Sequence, residues 1–306
     1  MLNTTMNLTT AQVIPLGMYS LLIILLGLIG NFIVIYSSVR HNALKLDAVS
    51  LMFIQHLAVA DILYIVVVVI PNFATYSAGR WVFGEVLCNF IAQLRIIPGI
   101  ANSVLVLAIT LHRVILFTCP FRAFSPQTAK MAAGCVWGGA ALLTGSLAIY
   151  YKAGADFRPD IAMCITTLVE TAKTAILVTT GFTLLLPLVL IAITNMIICF
   201  IAKKHSTGSK SGNNILLIGL LSGCFIFSWI PYIVKNIMRE EYQELDILAY
   251  NCIAMNSFAN PILYSLTNRR FRKYLLHNFK QAGRQFQCRS NENSTDTVIT
   301  FTTSNL

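Results

Sequence analysis

Charge is what this sequence has least of. Only 11% of its 306 residues are Asp, Glu, Lys or Arg, while 56% are hydrophobic. A soluble domain of this size carries roughly twice that charged share. Acids are the scarcer sign, and Asp61 is the one acid set firmly inside an apolar run. Hydrolysis within a membrane needs paired aspartates, a metal-binding His/Asp set or a Ser/His pair, so the sequence argues against an enzyme. The eight cysteines lack metal-ligand spacing. Repeated halves and a charge-lined path, the marks of a transporter or channel, are missing as well. The N-terminus is short and polar and the first apolar run is too long for a cleavable leader, so that run reads as a signal anchor.

What the sequence does have is apolar runs long enough to cross a hydrocarbon core about 30 Å thick. Seven are present, at about 13–39, 47–75, 86–111, 129–151, 174–202, 214–238 and 246–267. In lipid a helix satisfies its own backbone groups and an open sheet does not. The fold expected is therefore an all-α membrane protein, a seven-transmembrane helix bundle. Residues 1–12 form an outer tail, 13–267 the bundle, 268–280 a short amphipathic cytoplasmic helix and 281–306 a disordered tail. In the short helix Phe271, Tyr274, Leu275 and Phe279 share one face, and Arg269, Arg270, Arg272 and Lys273 hold the other, which suits the inner leaflet. From Ser290 onward the chain is rich in Ser, Thr and Asn, the composition of disorder.

Charge placement sets the orientation. The segments 40–46, 112–130, 203–213 and the stretch after 267 hold 15 of the 22 basic residues, and with Asp47 at the edge of the first they meet only three acids, Asp47, Glu292 and Asp296. The opposite side carries five bases against eight acids. Basic residues stay inside, so the N-terminus is outside and the C-terminus cytoplasmic. The net charge of +10 is thus a topology signal and no mark of nucleic-acid binding. Sequons at Asn3 and Asn7 fall on the outer end, open to glycosylation. Cys88 and Cys164 share the oxidising side and are the one pair positioned to bond, pinning the outer segment 152–173 across the mouth of the bundle. The other six cysteines read as free thiols.

Polar groups inside a span are costly and face the bundle interior. Asp61 lies well inside the second span, and Asn102, Asn256, Ser257 and Asn260 can converge on it. Two readings stand: a site for a small hard cation such as sodium, or a protonated aspartate hydrogen-bonded within the bundle. Pro187, Pro231 and Pro261 each remove a backbone hydrogen bond within a span, which either lipid simply tolerates or a moving bundle uses as hinges.

An ordered set of signatures then accumulates: Gly30-Asn31, "LAVAD" ending at Asp61, Trp81-Phe83-Gly84, Cys88, the His112-Arg113 pair, Trp137, Pro187, Phe225-Ser228-Trp229-Pro231 and "NPILY" from Asn260 to Tyr264. Taken in order, one or more to each span over about residues 15–280, they resemble the rhodopsin-like (class A) G-protein-coupled receptors. The resemblance implies a cell-surface receptor that binds an extracellular ligand and activates a heterotrimeric G protein. Arg113, beside His112, would contact that G protein. Phe225, Trp229 and Pro231 would couple the pocket to a swing of the sixth helix, and Asn260, Pro261 and Tyr264 would rearrange with it. Asp61, Asn102, Asn256, Ser257 and Asn260 would hold an allosteric sodium ion; no other cofactor is implied.

The departures matter as much. An acid usually precedes the arginine, and another often stands at the inner end of the sixth helix; here they are His112 and, near the second place, Ser211 after Lys210. Neither pairs with Arg113 by charge, and Asn195 replaces a tyrosine that supports the active state. The expectation is a loosely held resting state with ligand-free signalling, set against impaired signalling or a signalling-silent receptor-like partner. Arg95 stands where amine receptors carry an aspartate, which argues against a monoamine, and Ala254 where a retinal-binding lysine would be. Arg95, with Ile96, Gly99, Tyr232, Lys235, Asn236 and Tyr250 around it, suits an anionic or peptide ligand; alternatively Arg95 pairs with an outer-loop acid such as Glu170. Arrestin is an expected partner of the Ser/Thr-rich tail. A PDZ-type domain is another, at Ser304 to Leu306, where the terminal carboxylate invites capture of an added strand.

Overall fold

Backbone groups in a water-free span are satisfied only within the segment, and each apolar run here is a helix. The computed structural model describes residues 5–41, 43–44, 46–119, 121, 124–150, 154–167, 178–205, 209–238, 242–278 and 280–281. Its helices are α1 (Thr10–His41), α2 (Ala48–Ala78), α3 (Gly84–Thr118), α4 (Pro126–Tyr150), α5 (Val178–Ile201), α6 (Ser209–Met238) and α7 (Gln243–Thr267). Residues 269–278 form a short helix, α8. Among the described residues six helices are apolar and long enough to cross a membrane unaided. The other long one, α7, is diluted by Asn251, Asn256, Ser257 and Asn260, three of which lie nearly or wholly buried against neighbouring helices. Its polarity is turned inward, so it completes a seven-helix bundle.

Prolines explain the irregular turns, because each leaves the carbonyl four residues earlier without its donor. Pro187 frees the Thr183 carbonyl beside a π-helical turn at Gly181–Leu185, and Ser103 Oγ of α3 donates to it at 2.7 Å. Pro261 frees the Ser257 carbonyl, and Asn31 Nδ2 of α1 donates to it at 2.7 Å. Pro98, which the sequence reading passed over, removes the donor to Leu94, and α3 breaks its regular winding at Arg95. Side chains of neighbouring helices thus repair the gaps and fasten the bundle together.

Small residues let α1 approach the bend of α7. A Cβ built on Gly30 would lie 2.6 Å from Pro261 Cβ, and one on Gly27 would lie 3.2 Å from the Ser257 carbonyl oxygen. Neither position has room for a side chain.

On the outer face the segment after α4 is a β-hairpin, which the sequence reading did not foresee. Strands β1 (Gly154–Arg158) and β2 (Met163–Thr167) pair antiparallel with Phe157 opposite Cys164. A Cys88–Cys164 disulfide, with Cα atoms 5.4 Å apart, ties β2 to α3 as expected. Asn89 Oδ1 accepts from Ala155 N at 2.7 Å, and Phe157 stacks on Trp81 with centroids 6.1 Å apart. The N-terminal segment crosses this lid: Met6 N donates to the Gly79 carbonyl and Asn7 N to the Pro159 carbonyl. The Asn7 side chain is exposed, as a glycan acceptor must be; Asn3 and Glu170 lie outside the described residues.

On the inner face Asn268 caps α8, accepting from Arg270 N and Phe271 N at 3.1 Å and donating to the Leu44 carbonyl at 2.8 Å. Phe271 is buried while Arg269, Arg270, Arg272 and Lys273 are exposed, the amphipathic division the sequence predicts. Phe279 and the tail from residue 282 lie outside the described residues.

Candidate functional site

Arg95, at the break in α3, lines an outer cavity of about 140 Å³ together with Ile96, Gly99, Tyr232 and Tyr250. A second cavity of about 290 Å³ shares Arg95, Ile96, Tyr232 and Tyr250 and adds Lys235 and Asn236. All seven ligand-facing residues expected from the sequence therefore line one two-lobed space. Tyr64, Thr180 and Thr183 also line the first lobe, and no charge or motif marks them out in the sequence. Leu143 and Thr144 of α4 extend the second lobe toward the β-hairpin.

The two cations at this site are not equivalent. Lys235 Nζ lies 2.6 Å from Asp246 Oδ1, and Arg158 Nη1 of the hairpin lies 3.1 Å from Asp246 Oδ2. Asp246 is buried, so one carboxylate joins α6, α7 and the lid. Arg158 also grips Asp160. Although partial burial pushes the Asp160 carboxyl up, the Arg158 hydrogen bonds and charge outweigh it and hold the group below its ordinary value. Arg95 forms no ion pair among the described residues. Its guanidinium lies 5.3 Å from the Tyr250 ring centroid, on the side of a ring that Lys235 also approaches at 4.8 Å.

Below Arg95 the aromatic rings run inward without a gap. Tyr250 meets Tyr232 at 6.2 Å, Tyr232 meets Trp229 at 5.6 Å and Trp229 meets Phe225 at 6.1 Å between centroids. Trp229 Nε1 is buried without a hydrogen-bond partner. Pro231 lies in α6 two residues beyond Trp229, which itself lines the first lobe.

The inner polar cluster gathers only part of its expected set. Asp61 is fully buried, and its two oxygens accept from Asn102 Nδ2 at 3.3 Å and Asn260 Nδ2 at 2.8 Å. Asn256 sits one turn farther out and donates instead to Ser228 Oγ of α6. Ser257 takes part through its carbonyl, which Asn31 occupies. Asn102 Oδ1 is buried without a partner, an oxygen that suits a hard cation beside the Asp61 carboxylate. The residues fit sodium in that reduced form. Tyr264 is buried, its hydroxyl unpartnered and its ring 6.5 Å from Phe271, edge to face.

At the end of the bundle opposite the hairpin the expectation of an unpaired Arg113 is overturned. Asp47 Oδ2 lies 3.3 Å from Arg113 Nη2, and Asp47 Oδ1 lies 2.8 Å from His112 Nε2. The acid missing beside the arginine is supplied by the residue that caps α2. The charge partner of Arg113 thus comes from a helix other than its own. Asn195 Nδ2 donates to Ser222 Oγ at 2.7 Å and ties α5 to α6.

Residues 30–264 match the model of the 7 transmembrane receptor (rhodopsin family). The chain is similar to neuropeptide Y receptor type 2 of Cavia porcellus, 27% identical over 286 residues that cover 84% of this chain and 74% of the relative. It is also similar to somatostatin receptor type 5 of Rattus norvegicus, 26% identical over 312 residues covering 91% of this chain and 79% of the relative. Among solved structures, squid rhodopsin superposes with a TM-score of 0.76 at 18% identity, over 90% of this chain and 87% of the other, a likeness of fold.

Proposed function

Because the chain belongs to the rhodopsin family of seven-transmembrane receptors, we propose that it sits in the plasma membrane and takes an anionic group of an extracellular peptide onto Arg95. It is a multi-pass membrane receptor and not an enzyme. The observation that carries the proposal is the contrast between two cations in one cavity. Lys235 has its carboxylate in Asp246, whereas Arg95 has none among the described residues. A guanidinium in a low-dielectric pocket is best matched by a carboxylate or phosphate that accepts two parallel hydrogen bonds. One relative is named for a neuropeptide, which favours a peptide as the bearer of that group.

The ring chain from Tyr250 to Phe225 is the route by which occupancy at Arg95 would tilt α6 about Pro231 and open the inner face to a heterotrimeric G protein. A sodium ion at Asp61 and Asn102 Oδ1 would favour the closed form, and Asp61→Asn should then remove any sodium dependence of ligand affinity. The N-terminus is placed outside, with glycans on Asn3 and Asn7. Arrestin at the Ser/Thr-rich tail and a PDZ-type domain at Ser304 to Leu306 are proposed partners of residues outside those described.

A receptor-like partner that does not itself signal is the second reading, favoured by the Asn195–Ser222 bond that braces α5 against α6. The test is nucleotide exchange on a panel of heterotrimeric G proteins, with the receptor in vesicles and peptides supplied in matched free-acid and carboxamide forms. Stimulation by acid forms alone supports the proposal. Silence with every G protein supports the second reading, and solute flux into the vesicles would point to a transporter.

A further inference from the structure

Arg113 is buried near the inner end of α3, and in this chain the residue beside it is a histidine. The charge that meets it comes from 66 positions away in sequence, at the entrance to α2. Asp47 Oδ1 accepts from Ser50 N at 2.9 Å, so the residue caps its helix, where the N-terminal dipole favours a negative charge. The same oxygen meets His112 Nε2 at 2.8 Å, and Oδ2 faces Arg113 Nη2 at 3.3 Å. His112 is 1% exposed and its ring stacks on Phe124, with centroids 5.6 Å apart and planes 15° apart. The imidazole is therefore a fixed spacer: it aims the carboxylate at Arg113 and has no room to turn away.

We propose that Asp47 is the positioning residue that holds Arg113 in the resting receptor, with His112 as the bridge that orients its carboxylate; this rests on the receptor reading above. Three kinds of donor converge on one carboxylate. Partial burial pushes its pKa up, but the His112 hydrogen bond, the Ser50 N–H and the Arg113 charge together carry it well below the ordinary range, so it stays ionised. The hold on Arg113 is also incomplete. Nε and Nη2 of the guanidinium are buried without a hydrogen bond, the contact with Asp47 being an ion pair alone. An incomplete hold is what a reversible restraint requires, because a partner offering acceptors to those donors competes with one ionic contact. The restraint moves from the neighbour of Arg113 on α3 to another helix, so it responds to displacement of α2 against α3.

The test uses the full chain in nanodiscs with purified heterotrimeric G proteins and no ligand. Asp47→Asn keeps the helix cap, since an amide oxygen also accepts the Ser50 N–H, and it removes only the charge. Ligand-free nucleotide exchange should rise about two- to fivefold, the scale of an ion pair at a partly wet face. Adding His112→Asp to the same chain returns a carboxylate beside Arg113 and should restore the wild-type rate. A purely structural role for Asp47 would not be rescued in that way. In parallel, thermal unfolding of Asp47→Asn, Arg113→Gln and the double variant reads the contact without any G protein. A combined loss smaller than the sum of the single losses supports it, and additive losses overturn the proposal. Exchange that is unchanged in Asp47→Asn, in a receptor whose wild type responds to ligand, overturns the proposal alone. Exchange at the empty-nanodisc level in every variant and under every peptide sinks the receptor reading, and the proposal with it.

Discussion

The residues that decide the chemistry are those whose partners lie far away in the chain. Asp246 is 1% exposed and is approached by Lys235 and Arg158 from two other elements. Removing the charge leaves two cations facing each other across a buried site. Asp246→Asn should therefore lower unfolding stability by an amount near the lower end of about 3–5 kcal/mol, because both partners keep some water. Thermal unfolding of the purified variant checks this, and an unchanged midpoint would show that the three groups are independent. None of these pairings was legible in the sequence. In sequence Lys235 reads as a pocket residue near Arg95 and Asp246 as one of eight acids on the outer side, while Asp47 reads only as one of three acids on the basic side. Periodicity places residues on faces of one helix; it says nothing of which faces of different helices meet at atomic distance. The same limit explains Asn256, which shares a face with Asn260 yet reaches Ser228 instead of Asp61.

At the scale of the element, the packing of α1 on α7 depends on the absence of a side chain. Gly30→Val would drive branched carbons into Pro261, where a single Cβ already falls at 2.6 Å. The expected loss is about 1–3 kcal/mol, seen as a lower unfolding midpoint and lower surface expression. Gly138→Ala in α4 is the matched control: a Cβ there meets nothing within 4 Å, and alanine's better helix propensity should leave stability unchanged or slightly raised. Equal losses in both variants would mean that packing against Pro261 is not the cause. The hairpin lid is held by the Cys88–Cys164 bond in addition to its hydrogen bonds. Cys88→Ser should cost about 2–4 kcal/mol, and mass spectrometry after differential alkylation should find both wild-type thiols oxidised. Spans and disulfide were legible because apolar length and compartment are written locally. The hairpin was not, since its strands are five residues each and only β1 alternates in burial. The break at Arg95 was open to discovery through Pro98, four residues after Leu94.

For the whole molecule, one path joins the two faces. Arg95 touches Tyr250, whose ring leads through Tyr232 and Trp229 to Phe225. Asn256 links the same level of α6 to α7, and Asn260 and Asn102 close on Asp61 one layer below. Arg113 waits at the inner end, held by Asp47. Such a stack can transmit a change only if the ligand interacts differently with its two arrangements, and the guanidinium of Arg95, which has no ion pair among the described residues, is the group best placed to do so. The order of the signatures made this architecture readable, while the charge balance at each end required the folded chain. The most direct measurement is the dose response of nucleotide exchange to an activating free-acid peptide, in membranes with matched surface amounts of wild type and Arg95→Gln. A hydrogen bond to a charged group contributes about 1.5–3 kcal/mol, so the half-maximal concentration should rise by about one to two orders of magnitude, while the carboxamide form should be equally weak on both. Superimposable curves for the free acid would contradict the assignment of Arg95 as the anion-binding group.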